Sequence, residues 1–446
     1  MASESSDSAR VDFSALPTYV DGSPMRQSVV RCEIPSPNAV RRTVRGPLVI
    51  GLVLVSLSAG AAYGQESRRE LLEQQRADRA KQLEPYKPGK VESTMLYLER
   101  EGTLERWFGG YDGWYPRLGS ITRGGGFAGG AGYRQHVLDN RVRFDVSGAI
   151  SLKNYRATDF EVALPYLADN HVQIATRVRY RFMPQEDYHG IGPDSVRGNR
   201  VSYLREDKEV GVRLAYRPVT WFETGGELAW LALDIGRGRD TRFPSVEELF
   251  NEVDAPGVTS QPDFIRTGVW ASVDYRDQPG NARSGGLYTV AWRDYSDRDT
   301  GRYSFGRLDA EARQYFPIFD KKRVIAVRAR FNYANNDPGG VVPFYMLPTL
   351  GGSDSLRSYR NFRFHDENAL VLNAEYRWEA FAGLDMALFF DAGEVRPDWQ
   401  DLDLRDLNTA YGVGFRFNTY KDVFLRIDVG FGGEGTRYFV AFGPIF

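Results

Sequence analysis

Histidine is the side chain most often used for acid–base catalysis near neutral pH, and the sequence contains four of them, at positions 136, 171, 189 and 365. None lies in a Gly-x-Ser-x-Gly or His-x-x-Glu-His pattern, which would indicate a serine hydrolase or a zinc hydrolase. His171 and His365 are expected in exposed loops. We therefore predict no catalytic residue and no metal site. A loop-borne hydrolase, with a serine–histidine–aspartate site assembled across loops, is kept as a third alternative for the function.

A glycine-rich segment formally matches a dinucleotide-binding fingerprint at Gly124-x-Gly126-x-x-Gly129. That fingerprint requires a helix after the glycines, because the helix amino terminus binds the pyrophosphate. Here the following residues continue as a strand pattern, so no cofactor is predicted. Glycine weakens strands, and residues 124–132 are instead interpreted as a loose first strand at a barrel seam. The net charge of −2 gives no indication of nucleic-acid binding.

Composition and periodicity favour strands. Aromatic residues make up 13% of the chain and glycines number 46. Apolar and polar residues alternate over nine to eleven positions in several segments, the length that a tilted strand needs to cross a bilayer. Arginines repeatedly occupy the polar face, as a water-filled lumen allows. The clearest examples are residues 172–182, 324–334 and 369–379.

Fifteen or sixteen such segments can be counted, several joined by tight turns such as Asp139-Asn140 and Asp169-Asn170. About 20 residues per strand and connection over residues 111–446 fit 16 strands, and an even number permits antiparallel closure. The predicted fold is all-β: a closed antiparallel transmembrane β-barrel of 16 strands with a short helical amino-terminal lead-in. The final Phe446, expected on one face with Tyr438, Val440 and Phe442, is interpreted as the carboxy-terminal barrel signal.

The amino-terminal region has an export pattern. An apolar run at residues 47–57 follows three arginines and precedes small residues, which indicates a signal peptide over residues 1–64 with a long n-region. A membrane anchor is the alternative reading. The one cysteine, Cys32, falls within this segment, so the mature chain is expected to contain none. Residues 65–110 are charge-dense at first and are predicted to be a periplasmic lead-in, partly helical or flexible.

Three motifs from about residue 188 onward resemble the BamA/TamA superfamily, also called the bacterial surface antigen family. The segment Leu350–Tyr359 is similar to that family's sixth-extracellular-loop motif, with Ser358 where glycine is usual. Phe389–Gly393 resembles the Phe-x-Asp-x-Gly strand signature. Residues 274–286 resemble a mid-barrel hairpin. Because too few residues precede the barrel for the periplasmic POTRA domains of many relatives, a barrel-only member is expected.

The resemblance implies a role for the loop arginine. In the family this residue holds the loop inside the barrel against acidic residues of the following two strands. Alternation places Glu375 and Asp391 on the lumen face of those strands. Arg357 is therefore expected to pair with Glu375 and Asp391, its guanidinium suiting bidentate contact. Leu356 and Tyr359 complete the motif. The alternative is a solvated loop arginine.

The function that the resemblance implies is outer-membrane protein or lipid assembly or translocation, without catalysis. A passive pore or structural surface barrel is the alternative. The expected location is the bacterial outer membrane. Expected partners are outer-membrane lipid, the assembly machinery for the protein's own insertion, and a protein or lipid client, with no nucleic acid.

Overall fold

The computed structural model describes residues 73–75, 78, 89, 93, 97, 111–419 and 422–446. The chain forms two compact units, residues 1–86 and residues 87–446. Residues 73–75, 78, 93 and 97 are helical, in agreement with the predicted helical lead-in. The predicted signal peptide, Cys32 and most of the lead-in lie outside the described residues. In the part of the chain that is described, no helix has the length and apolar character needed to traverse a bilayer.

The second unit is one antiparallel sheet of 16 strands rolled into a nearly closed barrel, which confirms the predicted fold and strand number. Each barrel strand pairs with its neighbours in chain order. The barrel strands are β1 (Gly113–Gly119), β2 (Ala128–Val137), β3 (Val142–Ser151), β4 (Arg156–Leu167), β5 (Val172–Tyr188), β6 (Val201–Val219), β7 (Phe222–Arg237), β8 (Phe264–Asp274), β9 (Gly285–Asp297), β10 (Phe305–Ile318), β11 (Arg323–Asn336), β14 (Asn368–Phe381), β15 (Leu384–Arg396), β16 (Asn408–Asn418), β17 (Val423–Gly432) and β18 (Arg437–Ala441).

Smaller elements lie in the long connections. A two-stranded ladder joins β12 (Thr349–Leu350) to β13 (Phe364–His365), and a short helix α1 spans Val246–Leu249. Single 3-10 turns occur at Arg197–Asn199, Phe344–Met346 and Trp399–Asp401.

Alternation along the strands separates an apolar outer wall from a charged lumen. On β4 and β5, Phe160 and Val178 are exposed on the outer wall. Between them in sequence, Glu161 faces the lumen and accepts from Arg143 and Arg177, each at 2.5 Å. Bilayer lipid can solvate only the apolar face, whereas the charged face requires water or ion pairs. The alternation therefore places the apolar face on the outer wall and the charged face in the lumen.

The two ends of the barrel differ. At one end the connections are short. The predicted tight turns at Asp139-Asn140 and Asp169-Asn170 lie there, and these residues adopt positive φ. Outer-membrane barrels place such turns in the periplasm and the long loops outside. At the other end an apolar cluster, here called the extracellular dome, closes over the barrel. Its largest buried members are Tyr188, Tyr203, Phe264, Tyr303, Phe305 and Phe344.

The seam between β1 and β18 departs from expectation. The first strand is Gly113–Gly119, so the glycine-rich residues 124–132 form the following connection and part of β2 instead. This prediction was wrong by one strand, because the short β1 precedes the glycines and carries little alternation. Within the described residues, β1 and β18 are the two ends of the sheet order and share no ladder.

The carboxy terminus also departs from expectation. β18 ends at Ala441, and the last five residues leave the wall. Phe446 is 2% exposed and packs against Tyr315, Val324 and Ala326 rather than on the lipid face with Tyr438. The alternation that placed Phe446 outside does not apply beyond the end of the strand. Its role as a barrel signal stays a prediction.

His365 was predicted in an exposed loop but is 1% exposed. It lies in β13, where its carbonyl accepts a hydrogen bond from the Gly192 amide at 2.8 Å. Its ring stacks edge-on against Tyr188 of the extracellular dome. The connection containing it folds inward, which its polar composition does not reveal.

Candidate functional site in the barrel lumen

The connection between β11 and β14, residues 337–367 and here called the long loop, enters the lumen. Arg357 on this loop has no exposed side-chain surface. Its Nε and Nη2 donate to the two oxygens of Asp391 at 2.9 and 2.7 Å, and its Nη1 donates to Glu375 Oε1 at 2.5 Å. The Arg357 backbone amide also donates to Asp391 at 3.1 Å. The residues that the sequence singled out are therefore brought together, with bidentate contact to Asp391.

Two neighbouring strands place the acceptors. Asp391 of β15 lies opposite Asn373 of β14, and Glu375 follows two positions along on the same face. Asn373 donates to Asp391 at 2.8 Å, which orients that carboxylate. Beneath the guanidinium, the ring of Phe389 lies 3.5 Å from it, a cation–π contact.

Further charged residues of the lumen wall complete the arrangement. Arg416 of β16 donates to Glu375 at 2.8 Å and to Asp428 of β17 at 2.6 Å. Arg377 donates to the second oxygen of Glu375 at 2.7 Å. We call these residues and the loop arginine the lumen charge cluster, namely Arg357, Arg377, Arg416, Glu375, Asp391 and Asp428. Sequence reasoning missed Arg416 and Asp428, although both stand at inward positions between outward apolar residues and could have been found.

The cluster has a clear electrostatic balance. Burial would lower the pKa of Arg357, but the charges of Asp391 and Glu375 outweigh burial and raise that pKa above its ordinary value. Arg357 is therefore positively charged at neutral pH. Within the cluster three guanidinium groups face three carboxylates, and the buried Arg426 of β17, 3.4 Å from Asp428, adds a fourth cation beside it.

Glycines on β17 allow the loop backbone to lie against the wall. A Cβ atom on Gly430 would fall 1.9 Å from the Arg357 carbonyl oxygen, and one on Gly432 would fall 2.4 Å from Ser358 Oγ. Ser358 itself does not have a positive φ. The space that the motif needs at this point is therefore supplied by the facing strand rather than by a glycine in the loop.

The other motif residues anchor the loop through apolar contacts. Leu356 is fully buried with Leu350, Phe364 and Val371. Tyr359 lies 5.5 Å from the Phe364 ring, and its hydroxyl donates to Asn408 at 3.2 Å. The loop is thus held on both its charged and its apolar side.

Ion pairs also join the loop to both sides of the seam. Arg363 donates to Glu434, between β17 and β18, at 2.5 Å. Arg123, between β1 and β2, lies 3.2 Å from Asp354. The long loop therefore bridges the first and last strands from inside the barrel, where the wall itself has no ladder.

The carboxy terminus meets this loop. Arg328 of β11 donates to the Asp354 carbonyl at 3.0 Å and to the Ile445 carbonyl at 3.4 Å. The guanidinium of Arg377 lies 5.1 Å from the Phe446 ring. The last residues are consequently packed against the lumen charge cluster.

Comparison with known proteins identifies related sequences and folds. Residues 140–431 match the Omp85 superfamily domain. BamA from Haemophilus ducreyi lacking POTRA domains 1–3 is 13% identical, with 74% of this chain and 70% of that chain covered and a TM-score of 0.55. CdiB from Escherichia coli is 14% identical, with 74% and 59% covered and a TM-score of 0.47. A search of curated proteins found no match. The likeness to BamA shows a common barrel fold.

Proposed function

Because the chain belongs to the Omp85 superfamily, we propose that this outer-membrane barrel takes part in the assembly or translocation of outer-membrane proteins or lipids, without chemical catalysis. The family resemblance noted from the loop and strand motifs is confirmed by the domain match. Which client the protein handles, and in which direction, belongs to the proposal.

The observation that carries the proposal is the long loop fixed inside the lumen. Arg357 and its three carboxylate neighbours are all without exposed side-chain surface. An ordered loop in the lumen reduces the cross-section through which a passive pore could conduct. The long loop contacts both sides of the seam from inside the lumen. Such a loop would hold the barrel together while the two seam strands rearrange.

The periplasmic mouth supports the same proposal over a pore. The β8–β9 connection, residues 275–284, reaches across it. Arg283 donates to Asp385 at 2.7 Å, Asn281 donates to the Thr419 carbonyl at 3.3 Å, and Gly280 bridges Asp422. Together with the extracellular dome, these contacts obstruct the lumen at both ends.

One observation favours the passive pore as a second candidate. The lumen contains cavities of about 490 and 440 Å³. Strands β5 to β10 line both, and residues 345–349 of the long loop also line the first. Arginines such as Arg179, Arg266 and Arg307 line both of them. If the obstructing connections moved, these cavities would form an anion-conducting path.

Reconstitution distinguishes the two candidates. The purified protein is placed in liposomes, and an eight-stranded outer-membrane barrel protein is diluted into them from urea. We expect faster folding of that client than in empty liposomes, and no osmotic swelling in the presence of small sugars. Unchanged client folding together with rapid swelling would reject assembly in favour of the pore.

A further inference from the structure

The outer wall carries a site that the proposed function does not use, at the extracellular end of β4 and β5. Val172 follows the periplasmic turn, and Phe182 stands ten positions further along β5 on the same outward face. A rise of about 3.3 Å per residue and a tilt of about 40° place Phe182 roughly 25 Å above the turn. An outer-membrane barrel has an apolar band about 25 Å tall. Phe182 therefore lies at the level of the outer-leaflet headgroups.

Two arginines share the Phe182 ring. The guanidinium of Arg156, directly opposite Phe182 in the β4–β5 ladder, lies 5.5 Å from the ring centroid. The guanidinium of Arg239 lies 5.0 Å from it. The Arg239 amide donates to the Pro184 carbonyl at 2.9 Å, which fixes the connection after β7 against the end of β5. Both arginine residues are exposed, whereas Phe182 beneath them is 9% exposed.

Neither guanidinium forms an ion pair with the described residues. The Nε of Arg156 donates to the neutral Asn154 side chain at 3.1 Å. Glu206 lies opposite Phe182 in the β5–β6 ladder. Lys208 contacts Glu206 and Asp234 at 3.4 and 3.0 Å. Those acidic groups are thus already engaged by a cation, and the charges of Arg156 and Arg239 stay available.

Most arginines of the barrel differ from these two in position and partner. In the lumen, Arg179 and Arg181 of the same strand both contact Asp159. An uncompensated pair of guanidinium groups on an aromatic platform, at the edge of an apolar wall, fits an anionic group supplied by the membrane. Guanidinium binds phosphate oxygens through two parallel N–H bonds, and the aromatic face keeps the planar group in orientation.

We propose that Arg156 and Arg239, supported by Phe182, bind a phosphate of an outer-leaflet glycolipid headgroup. The acyl chains of that lipid lie along the apolar residues below, on the outward face of β5, beginning with Tyr180 and Val178. The bound lipid fixes the vertical position of the barrel on the side of β4 and β5. This site is independent of the lumen charge cluster and of any client.

The test measures lipid binding by the full chain in detergent micelles with native mass spectrometry. The probe is diphosphorylated lipid A, compared with fully dephosphorylated lipid A and with inorganic pyrophosphate. We expect the diphosphorylated lipid to bind most tightly, and each of Arg156→Gln and Arg239→Gln to weaken it about tenfold. The control is Arg141→Gln, an exposed arginine in the β2–β3 turn at the periplasmic end, which should leave binding unchanged.

Three results would overturn the proposal. Equal binding of the double variant and the native protein would remove the arginines from the site. Equal binding of phosphorylated and dephosphorylated lipid would assign the affinity to acyl chains alone. Pyrophosphate binding as tight as that of the lipid, and lost in the variants, would assign the site to free phosphate. Heat-modifiable gel mobility reports folding of each variant, and the single substitutions decide the matter if the double variant does not fold.

Discussion

At the scale of single residues, the lumen charge cluster distributes its charges unevenly. Glu375 contacts three guanidinium groups, those of Arg357, Arg377 and Arg416. Asp391 forms an ion pair with Arg357, and it accepts a hydrogen bond from the neutral side-chain amide of Asn373. Removal of Arg357 therefore leaves Glu375 paired with two other arginines. The buried carboxylate of Asp391, by contrast, loses its ion pair.

Arg357→Ala should accordingly release the long loop. Loss of one partner from a buried pair costs about 3–5 kcal/mol, and water in the lumen should reduce that figure. We expect proteases added outside to cleave residues 337–367 much faster in the variant, with the barrel still folded. Arg360→Ala is the matched control, since Arg360 lies in the same loop and forms no ion pair with the described residues. Unchanged cleavage of Arg357→Ala would reject the tether.

A second substitution tests the same docking from the wall. Gly430→Ala would put a methyl group 1.9 Å from the Arg357 carbonyl oxygen, so the loop backbone would have to move while every charge of the cluster is kept. We expect loop cleavage to increase towards that of Arg357→Ala. Gly129→Ala, a strand position where an added Cβ meets nothing within 4 Å, controls for the loss of a glycine. A loop as resistant as the native one would mean that the close approach is not required.

Residue types allowed much of this site to be predicted from sequence. Arg357, Glu375 and Asp391 follow from a motif and from strict alternation on β14 and β15. The packing of Phe446 against Arg377 could not be predicted, because alternation carries no information after a strand ends. The close approach of the long loop to Gly430 could not be predicted either, because a glycine in a strand does not show which segment approaches it.

At the scale of elements, the extracellular dome depends on neutral histidines. Burial, followed by the charges of Arg363 and Arg200, lowers the pKa of His189 to about 3. Burial and the neighbouring His189 lower the pKa of His365 well below its ordinary value. Both residues are 1% exposed. The dome therefore tolerates these side chains as neutral groups only.

Acid should loosen the dome. A histidine whose pKa is depressed by folding binds more protons when unfolded, so its contribution to stability is present above about pH 6.5 and is lost as the pH falls towards 3. Asp366, whose pKa is raised by burial to about 6, acts in the opposite sense. Glu367, whose pKa is also raised by burial, acts in the same sense as Asp366. Comparison of the native protein with a histidine variant therefore isolates the contribution of the histidine, which we expect to loosen the dome on acidification.

Protease cleavage in residues 189–200, measured from pH 7.5 to pH 5, checks this expectation. Cleavage should increase more on acidification in the native protein than in the His189→Gln variant, whose residue 189 has no proton to gain. His171→Gln is the control, because His171 lies in the β4–β5 turn at the opposite end of the barrel. Equal pH profiles in the native protein and in the His189→Gln variant would show that His189 does not contribute to the stability of the dome.

At the scale of the whole molecule, the barrel is continuous except at one place. Every pair of adjacent strands from β1 to β18 forms a ladder, but the two end strands meet without one in the described structure. Contact there is made by side chains, such as Phe127 and Phe442 with ring centroids 5.3 Å apart. The long loop spans the same place from within. If the proposed activity requires the seam to open, a covalent bond across it should stop that activity.

The geometry permits such a bond between residues 119 and 442. A Cβ built on Gly119 lies 3.7 Å from the Cβ of Phe442, inside the range of about 3.5–4.5 Å found in disulfides. We expect the Gly119→Cys/Phe442→Cys variant to form the disulfide on oxidation, to keep its folded gel mobility, and to lose acceleration of client folding until a reductant is added. The single-cysteine variants control for the positive φ of Gly119 and for the lost ring of Phe442. Full activity of the oxidised protein would show that the seam stays closed during function, and the obstructed mouths would then have to open instead.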